Sequence, residues 1–163
     1  MDIVMTGTAG DLGTAYLARY FENQLLKRLP ASFVEKAKRM PEKETLETAV
    51  LCSEPIGTGG IFGALWRLGE AAGTGLYVEL SRIPVRQDTI EICEILDVTP
   101  YQLLSSGTLF FVENGNWTEG TIIGRTDGNK GRVVAGAEGI RYLTKPQPDE
   151  LERLGILGER SSG

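Results

Sequence analysis

The chain has 163 residues, carries 17 basic against 22 acidic side chains for a net charge of -5, and contains no histidine. The absence of imidazole excludes a Ser-His-Asp triad, a Cys-His nucleophile pair and a His-ligated zinc site. Glycine is abundant, at 21 residues without a collagen-like period. We therefore expect glycines at special backbone positions within one domain that has a sizeable core.

The acidic net charge disfavours nucleic acid and anionic membranes as partners. The sequence shows neither an apolar run of about 18 residues nor a basic-then-apolar leader, which favours a cytoplasmic location without a membrane span. Cys52 and Cys93 form no CxxC pattern and are interpreted as buried apolar side chains. A basic cluster interleaved with glutamates is interpreted as a solvated helix face. Its members are Arg19, Lys27, Arg28, Lys36, Lys38, Arg39 and Lys43.

The first predicted element is an apolar strand, Ile3–Met5, which leads into the glycine-rich turn 7–14. A helix follows, with Asp11 as its N-cap, and Ser32 caps a second helix. The segment 45–52 fits either a buried strand or a helix end. The amino-terminal third is therefore predicted to be mainly helical.

The clearest helix begins at the glycine-rich turn 57–60 and ends at Gly73, and another helix follows Pro84. Further strands are expected at 76–80, 109–112, 121–124, 132–134 and 140–143, with a last helical turn or two at 148–154. Strands that alternate first with helices and then with hairpin turns predict an α+β fold. We expect a mixed, mostly antiparallel sheet flanked by helices, as one domain over 1–157 with a disordered tail at 158–163.

Two segments share one design, in which a strand leads into a glycine-rich turn that opens a helix. A helix N-terminus offers unpaired N–H groups, and glycine lets them approach a phosphate closely. Neither turn is a Walker A loop or a GxGxxG fingerprint. The alternative, in which the glycines only shape a tight turn and permit close helix packing, stays open.

The segment Ser105–Gly107 precedes an apolar strand and offers hydroxyls to a phosphate or carboxylate, although a plain turn also explains it. Asp11 could bind a cation or a substrate hydroxyl, although N-capping explains it without a ligand. Trp66 and Trp117 are interpreted as packing residues. The candidate phosphate-binding residues are Gly10, Asp11, Gly13, Thr14, Gly57, Thr58, Gly59, Gly60, Ser105, Ser106 and Gly107. The sequence assigns no catalytic residue and no metal ligand.

Three motifs and their order carry a family resemblance. Gly7–Gly13 reads GTAGDLG, 57–65 reads GTGGIFGAL, and 83–107 begins IPVR and ends SSG. The first resembles the GTxGDxG segment that begins the C-terminal domain of HypE-like proteins. The other two are similar to the Asp-Val-x-x-Gly-Gly helix start and the IPxRxET…SSG passage of aminoimidazole ribonucleotide (AIR) synthase-related proteins. The segments 121–124 and 143–146 fit as well, so the resemblance extends over 2–151.

This family includes AIR synthase, selenophosphate synthetase, thiamine-monophosphate kinase and HypE, the last of which acts in hydrogenase maturation. The resemblance implies a two-domain enzyme that transfers a phosphoryl group from ATP with Mg²⁺. It implies that the ligands of ATP and the metal come mainly from an N-terminal domain, which the match places outside this chain. The chain then corresponds to the C-terminal domain, whose glycine-rich loops close over the ligand phosphates.

The chain departs from the family pattern in three places. Pro55 stands where the family has an aspartate, which removes a carboxylate from the second turn. The end, 158–163, carries no cysteine, so the thiocarbamate-to-cyanide step of HypE is not transferred. The connection between Val112 and Thr121 is short where relatives insert a helix. A trimmed domain is therefore expected.

The leading functional hypothesis is the C-terminal half of an ATP-dependent, AIR synthase-like or HypE-like enzyme that is inactive alone. It would bind a phosphorylated small molecule or nucleotide and pair with a separately encoded N-terminal ATP-binding domain. The alternative is a non-catalytic module that binds a phosphate ligand or a protein and has lost the chemistry, as Pro55 suggests.

Overall fold

The computed structural model describes residues 1–42, 53–113, 119–128 and 131–156, which form one seven-stranded sheet and six helices. The strands are β1 (Asp2–Met5), β2 (Ser53–Gly57), β3 (Gly75–Glu79), β4 (Ser105–Val112), β5 (Thr121–Asp127), β6 (Arg132–Gly136) and β7 (Gly139–Tyr142). The helices are α1 (Asp11–Tyr20), α2 (Glu22–Leu25), α3 (Ala31–Ala37), α4 (Gly60–Ala72), α5 (Gln87–Leu96) and α6 (Glu150–Arg153). Short 3₁₀ turns lie at Leu80–Arg82 and Pro100–Gln102.

The strand order is β2-β4-β1-β5-β3-β6-β7. Every neighbouring pair is antiparallel except β3 and β6, which run parallel. The predicted fold class, a mixed and mostly antiparallel sheet flanked by helices, is confirmed.

The main core lies between the sheet and α4. Helix α4 places Ile61, Leu65 and Leu68 at the i, i+4 and i+7 positions of one face, where they pack with Ile3 and Met5 of β1. All five side chains are fully buried. Burial of a large aliphatic side chain stabilises a fold by about 1.5–3 kcal/mol. Because β1 leads into the first glycine-rich turn and α4 begins at the second, this packing also fixes the position of both turns.

A second core joins the remaining helices. Leu17 of α1, Val34 of α3, Ile92 of α5 and Leu151 of α6 are buried together. Within the described ranges no helix is both long and apolar enough to span a membrane.

Two local predictions were wrong. Helix α3 begins at Ala31 with Pro30 as its N-cap, so Ser32 is not the cap; proline at φ -60 suits the extended cap position. Strand β4 begins at Ser105, four residues before its predicted start, because pairing with β2 and with Thr6 satisfies the backbone of its polar first half. A strand was expected before the second glycine-rich turn, and β2 occupies that place. Its bounds were not predicted, since Pro55 disfavours a strand except at a sheet edge, where β2 lies. The predictions for 45–52, Cys52, Trp117 and the tail 158–163 fall on residues outside the described ranges.

Candidate functional site

The sheet topology brings the three predicted motifs to one end of the sheet. Strands β1 and β2 flank β4 and both run antiparallel to it. The carboxyl ends of β1 and β2, which lead into the two glycine-rich turns, therefore lie beside the beginning of β4. Gly57 pairs with Ser105, and the Thr6 N–H donates to the Thr108 carbonyl at 3.0 Å.

In the first turn, Asp11 connects α1 to β4. The N-cap of α1 is Gly10, in the left-handed conformation at φ 72, so the prediction of Asp11 as the N-cap was wrong. As the first helical residue, Asp11 accepts hydrogen bonds at Oδ1 from the N–H of Leu12 (2.7 Å) and the N–H of Ser106 (2.8 Å). Its Oδ2 accepts from the Ser106 hydroxyl at 2.6 Å. With 3% exposure, Asp11 fixes the serine segment against the turn.

Other polar groups predicted for phosphate binding have partners inside the protein. The Gly10 N–H donates to Ser105 Oγ at 2.7 Å, and that hydroxyl donates to the Leu103 carbonyl at 2.9 Å. The Gly13 N–H donates to the Leu104 carbonyl at 2.8 Å. Thr14 is fully buried, and its hydroxyl donates to the Gly10 carbonyl at 2.7 Å. These four groups stabilise the turn in this conformation.

In the second turn, a carboxylate occupies the start of α4. Gly59 is the N-cap, at φ 92, and its N–H donates to Asp149 Oδ2 at 2.6 Å. Asp149 Oδ1 accepts from the Leu151 N–H at 2.9 Å, so the same side chain caps α6. Desolvation raises the pKa of the buried Asp149 carboxyl, opposed by hydrogen bonds from the N–H groups of Gly59, Leu151 and Leu104. The Asp149 carboxylate therefore already binds at this helix start. The neighbouring Thr58 side chain is exposed to solvent.

The role of Asp149 was not predicted from the sequence, which indicated only a last helical turn or two at 148–154. An aspartate directly after Pro148 and before Glu150-Leu151 is a recognisable N-cap signal for that turn. The partner Gly59 lies 90 positions away, so local sequence patterns cannot indicate that contact.

Both helix starts pack against the segment 100–103. A Cβ atom at Gly13 would lie 2.4 Å from Leu103 Cγ, and one at Gly60 would lie 2.5 Å from the Tyr101 carbonyl oxygen. Both distances are shorter than real Cβ contacts, so glycine permits the close packing at these two positions. The two turns share this support but line different cavities.

The first turn lines a cavity of about 210 Å³ that also contains residues the sequence analysis missed. Its walls are Thr6, Gly7, Thr8, Asp11, Pro41, Glu42, Arg86, Ser106 and Gly107. The Thr8 Oγ1 atom is buried and has no hydrogen-bond partner. The Arg86 guanidinium donates to Asp88 Oδ1 at 3.0 Å and Oδ2 at 3.1 Å. A hydroxyl without a partner and a guanidinium in the walls of one cavity can bind the oxygens of an anionic or carbonyl group.

The cavity beside the second turn is much smaller. Its volume is about 20 Å³, with Gly59, Arg141, Lys145 and Gln147 among its walls. That volume suffices for about one water molecule. Gly57, Thr58 and Gly60 line none of the cavities described, so only the first turn and the serine segment adjoin the larger space.

The implied Mg²⁺ does not fit the described part of this chain. Within it, no group of three or more His, Cys, Asp or Glu side chains is arranged to hold a metal ion. Both carboxylate oxygens of Asp11 already accept hydrogen bonds from protein donors.

Comparison with known proteins gives one curated relative. Carbamoyl dehydratase HypE of Rhodobacter capsulatus is 26% identical over 106 residues, which cover 65% of this chain and 31% of the relative. The chain therefore resembles HypE and the AIR synthase-related proteins, as its motifs indicated. No family model matches the sequence.

Solved structures show the same fold. A hydrogenase maturation protein HypE in complex with ATP superposes with a TM-score of 0.67 at 18% identity, covering 91% of this chain and 51% of HypE. Thiamine monophosphate kinase from Aquifex aeolicus superposes with a TM-score of 0.60 at 20% identity, covering 83% and 49%. The HypE-like chain thus covers about half the length of these structures, and its matched residues cover less than a third of the curated relative. This partial coverage fits a C-terminal domain.

Proposed function

We propose that this HypE-like chain is the ligand-binding C-terminal half of an ATP-dependent enzyme and is inactive alone. The observation that carries the proposal is that Thr8, whose buried hydroxyl has no hydrogen-bond partner, and Arg86 both line the cavity of the first turn. A buried hydroxyl without a partner costs about 1–3 kcal/mol, and a ligand oxygen would remove that cost. The ATP bound to the HypE relative makes a phosphate the first ligand to consider.

The contacts in this proposal come mainly from side chains. The N–H groups of Gly10, Gly13 and Gly59 and both donors of Ser106 have internal acceptors, so we assign anion binding to the Thr8 hydroxyl and the Arg86 guanidinium. A cavity of about 210 Å³ is below the roughly 300–1,000 Å³ of pockets that enclose a drug-sized ligand. It therefore accommodates one phosphate-sized or carbonyl-bearing group, while the rest of the ligand lies outside. ATP hydrolysis would require residues from the other half of the enzyme.

Calorimetry of the full chain with ATP, ADP and inorganic phosphate tests the proposal. We expect binding that Arg86→Gln weakens by about tenfold or more, because a charged hydrogen bond contributes roughly 1.5–3 kcal/mol. The matched control is Arg82→Gln, because Arg82 is exposed, pairs with Glu79 and lies outside the cavity. Equal affinities of the two variants would contradict the assignment. Robust magnesium-dependent ATP hydrolysis by the chain alone would contradict the half-enzyme proposal.

The second candidate function is a non-catalytic interaction module. Pro55, at the family's aspartate position, is exposed on the edge strand β2, and the neighbouring Glu54 is paired with Arg67 at 2.7 Å. Neither residue offers a free carboxylate to the second turn. A pull-down with a separately encoded N-terminal ATP-binding domain discriminates the two functions. Capture that restores ATP hydrolysis favours the half-enzyme, whereas capture without hydrolysis or phosphate binding favours the module.

A further inference from the structure

Charge is strongly segregated along the chain. Residues 19–39 carry six basic and two acidic side chains, an excess of four positive charges. The remaining residues carry 11 basic and 20 acidic side chains, an excess of nine negative charges. The net charge of -5 therefore hides a basic region on an acidic molecule.

The structure gathers part of this region around a cleft between the end of α1 and α3. The cleft has a volume of about 840 Å³. It is lined by Arg19, Pro30, Ser32, Phe33, Glu35, Lys36, Lys38 and Arg39. We call it the α1–α3 cleft.

Two of the cations are fixed by contacts within the protein. Arg19 donates from Nε and Nη2 to the Lys38 carbonyl at 3.1 and 2.9 Å. Lys38 Nζ pairs with Glu22 at 2.7 Å and Glu35 at 2.9 Å, and these hydrogen bonds raise the pKa of Lys38. The contacts join α1, α2 and α3, so the cleft has a defined shape.

The other two cations are available to a partner. Lys36 and Arg39 are exposed, and among the described residues neither side chain has an ion-pair or hydrogen-bond acceptor. Lysines near a helix C-terminus are favourable with the helix dipole, which explains Lys36 and Lys38. The helix dipole of α3 does not explain why Arg19 of α1 lines the same cleft.

Exposed apolar side chains flank these cations in the sequence. Tyr20, next to Arg19, is 66% exposed, and Met40, next to Arg39, is 40% exposed. Phe33 is half-buried in the lining. Tyrosine, phenylalanine, methionine and arginine are enriched at protein interfaces. A merely solvated helix face, as the sequence suggested, would not need these side chains.

We propose that the α1–α3 cleft is a docking site for an acidic segment of a partner protein. Lys36 and Arg39 pair with its carboxylates, while Phe33, Tyr20 and Met40 contact its apolar side chains. Nucleic acid fits less well, because the excess of nine negative charges on the rest of the chain repels an extended phosphate backbone. The cleft shares no lining residue with the cavity of the first turn, so this inference does not depend on the proposed function.

Fluorescence anisotropy of the full chain with a labelled Glu-rich peptide that contains interspersed Leu tests the proposal. Two further probes are the same peptide with Gln in place of Glu and an oligothymidylate of equal length. The double variant Lys36→Glu/Arg39→Glu should weaken peptide binding by about tenfold or more, and added salt should weaken it as well. The matched control Lys27→Glu/Arg28→Glu makes the same charge change at exposed positions outside the cleft lining. It should retain affinity within about twofold.

Three results would overturn the proposal. Equal losses in the two double variants would indicate attraction by net charge without a defined site. Binding of oligothymidylate or the Gln peptide as tightly as the Glu peptide would exclude an acidic protein segment as the specific occupant. Salt-sensitive self-association that Lys36→Glu/Arg39→Glu abolishes, measured by sedimentation velocity, would identify a second copy of the chain as the occupant.

Discussion

The Asp149 carboxylate accepts a 2.6 Å hydrogen bond from the Gly59 N–H, although the two residues are 90 positions apart. The contact joins the start of α4 to the start of α6, because Asp149 also accepts from the Leu151 N–H. The side chain is 1% exposed, so the negative charge is held away from water at the positive end of two helices.

Replacing Asp149 with asparagine should destabilise the fold. In Asp149→Asn one carboxylate oxygen becomes an NH₂ group, which faces a backbone donor and leaves it without an acceptor. We expect a loss of about 1–3 kcal/mol in the free energy of unfolding, measured by urea denaturation. Glu152→Gln is the control, because Glu152 lies on the same short helix and is exposed. Equal stabilities of the two variants would contradict the role of Asp149.

Gly107 should be required for the pairing of β1 with β4 and not only for ligand binding. A Cβ atom at Gly107 would lie 1.9 Å from the Thr6 carbonyl oxygen, so Gly107→Ala forces the two strands apart. We expect a stability loss of about 3 kcal/mol or more by thermal or urea unfolding. Gly128→Ala, where a Cβ meets nothing within 4 Å, should change stability by less than about 0.5 kcal/mol. Wild-type stability of Gly107→Ala would disprove this close approach.

The hydroxyls of Thr14 and Thr89 should be energetically coupled. Both residues are fully buried, and their Oγ1 atoms lie 2.8 Å apart between α1 and α5. Thr14→Val or Thr89→Val leaves the other hydroxyl with fewer partners, so each should cost about 1–3 kcal/mol. In urea unfolding of the double-mutant cycle, the double variant should lose less than the sum, by about 0.5 kcal/mol or more. Strict additivity would show that the hydroxyls do not interact.

The Cys93 thiol should be unreactive in the folded protein and should affect stability only at alkaline pH. Burial is the main cause that raises the pKa of Cys93 from 9.0 to about 12, with smaller contributions from Glu150 and Asp88. Since the folded-state pKa lies above the unfolded one, the unfolded chain loses this proton first. The stability from the protonated thiol is therefore complete below pH 9.0 and lost as the pH rises toward 12.

Two measurements check the behaviour of Cys93. Iodoacetamide at neutral pH should label the Cys93 peptide only after unfolding in urea, as read by mass spectrometry of the digested chain. Above pH 9.0, wild-type stability should fall more steeply than that of Cys93→Ala, by up to about 1.4 kcal/mol per pH unit. Rapid labelling of the folded chain, or identical pH profiles, would contradict the burial of this thiol.

Much of the fold could be predicted from local patterns. The 3.6-residue spacing of apolar side chains located α4, and Gly73, its left-handed C-cap at φ 64, marked its end. Turn residues between apolar runs located the strands of the second half. The bounds of β2 and the start of β4 could not be predicted in this way. Their polar residues pair with strands that are distant in sequence, and only that pairing favours an extended backbone.

In the candidate site, too, local patterns predicted some features and distant contacts decided the others. Glycine content and motif order indicated the two turns, the serine segment and the family resemblance. The amino-acid sequence by itself determined which residue types meet at one end of the sheet. Only the tertiary structure decided which of their polar groups remain for a ligand. A hydrogen bond satisfies a donor once, and the acceptors Ser105 and Asp149, distant in sequence, already satisfy Gly10 and Gly59, whereas the Thr8 hydroxyl has no partner.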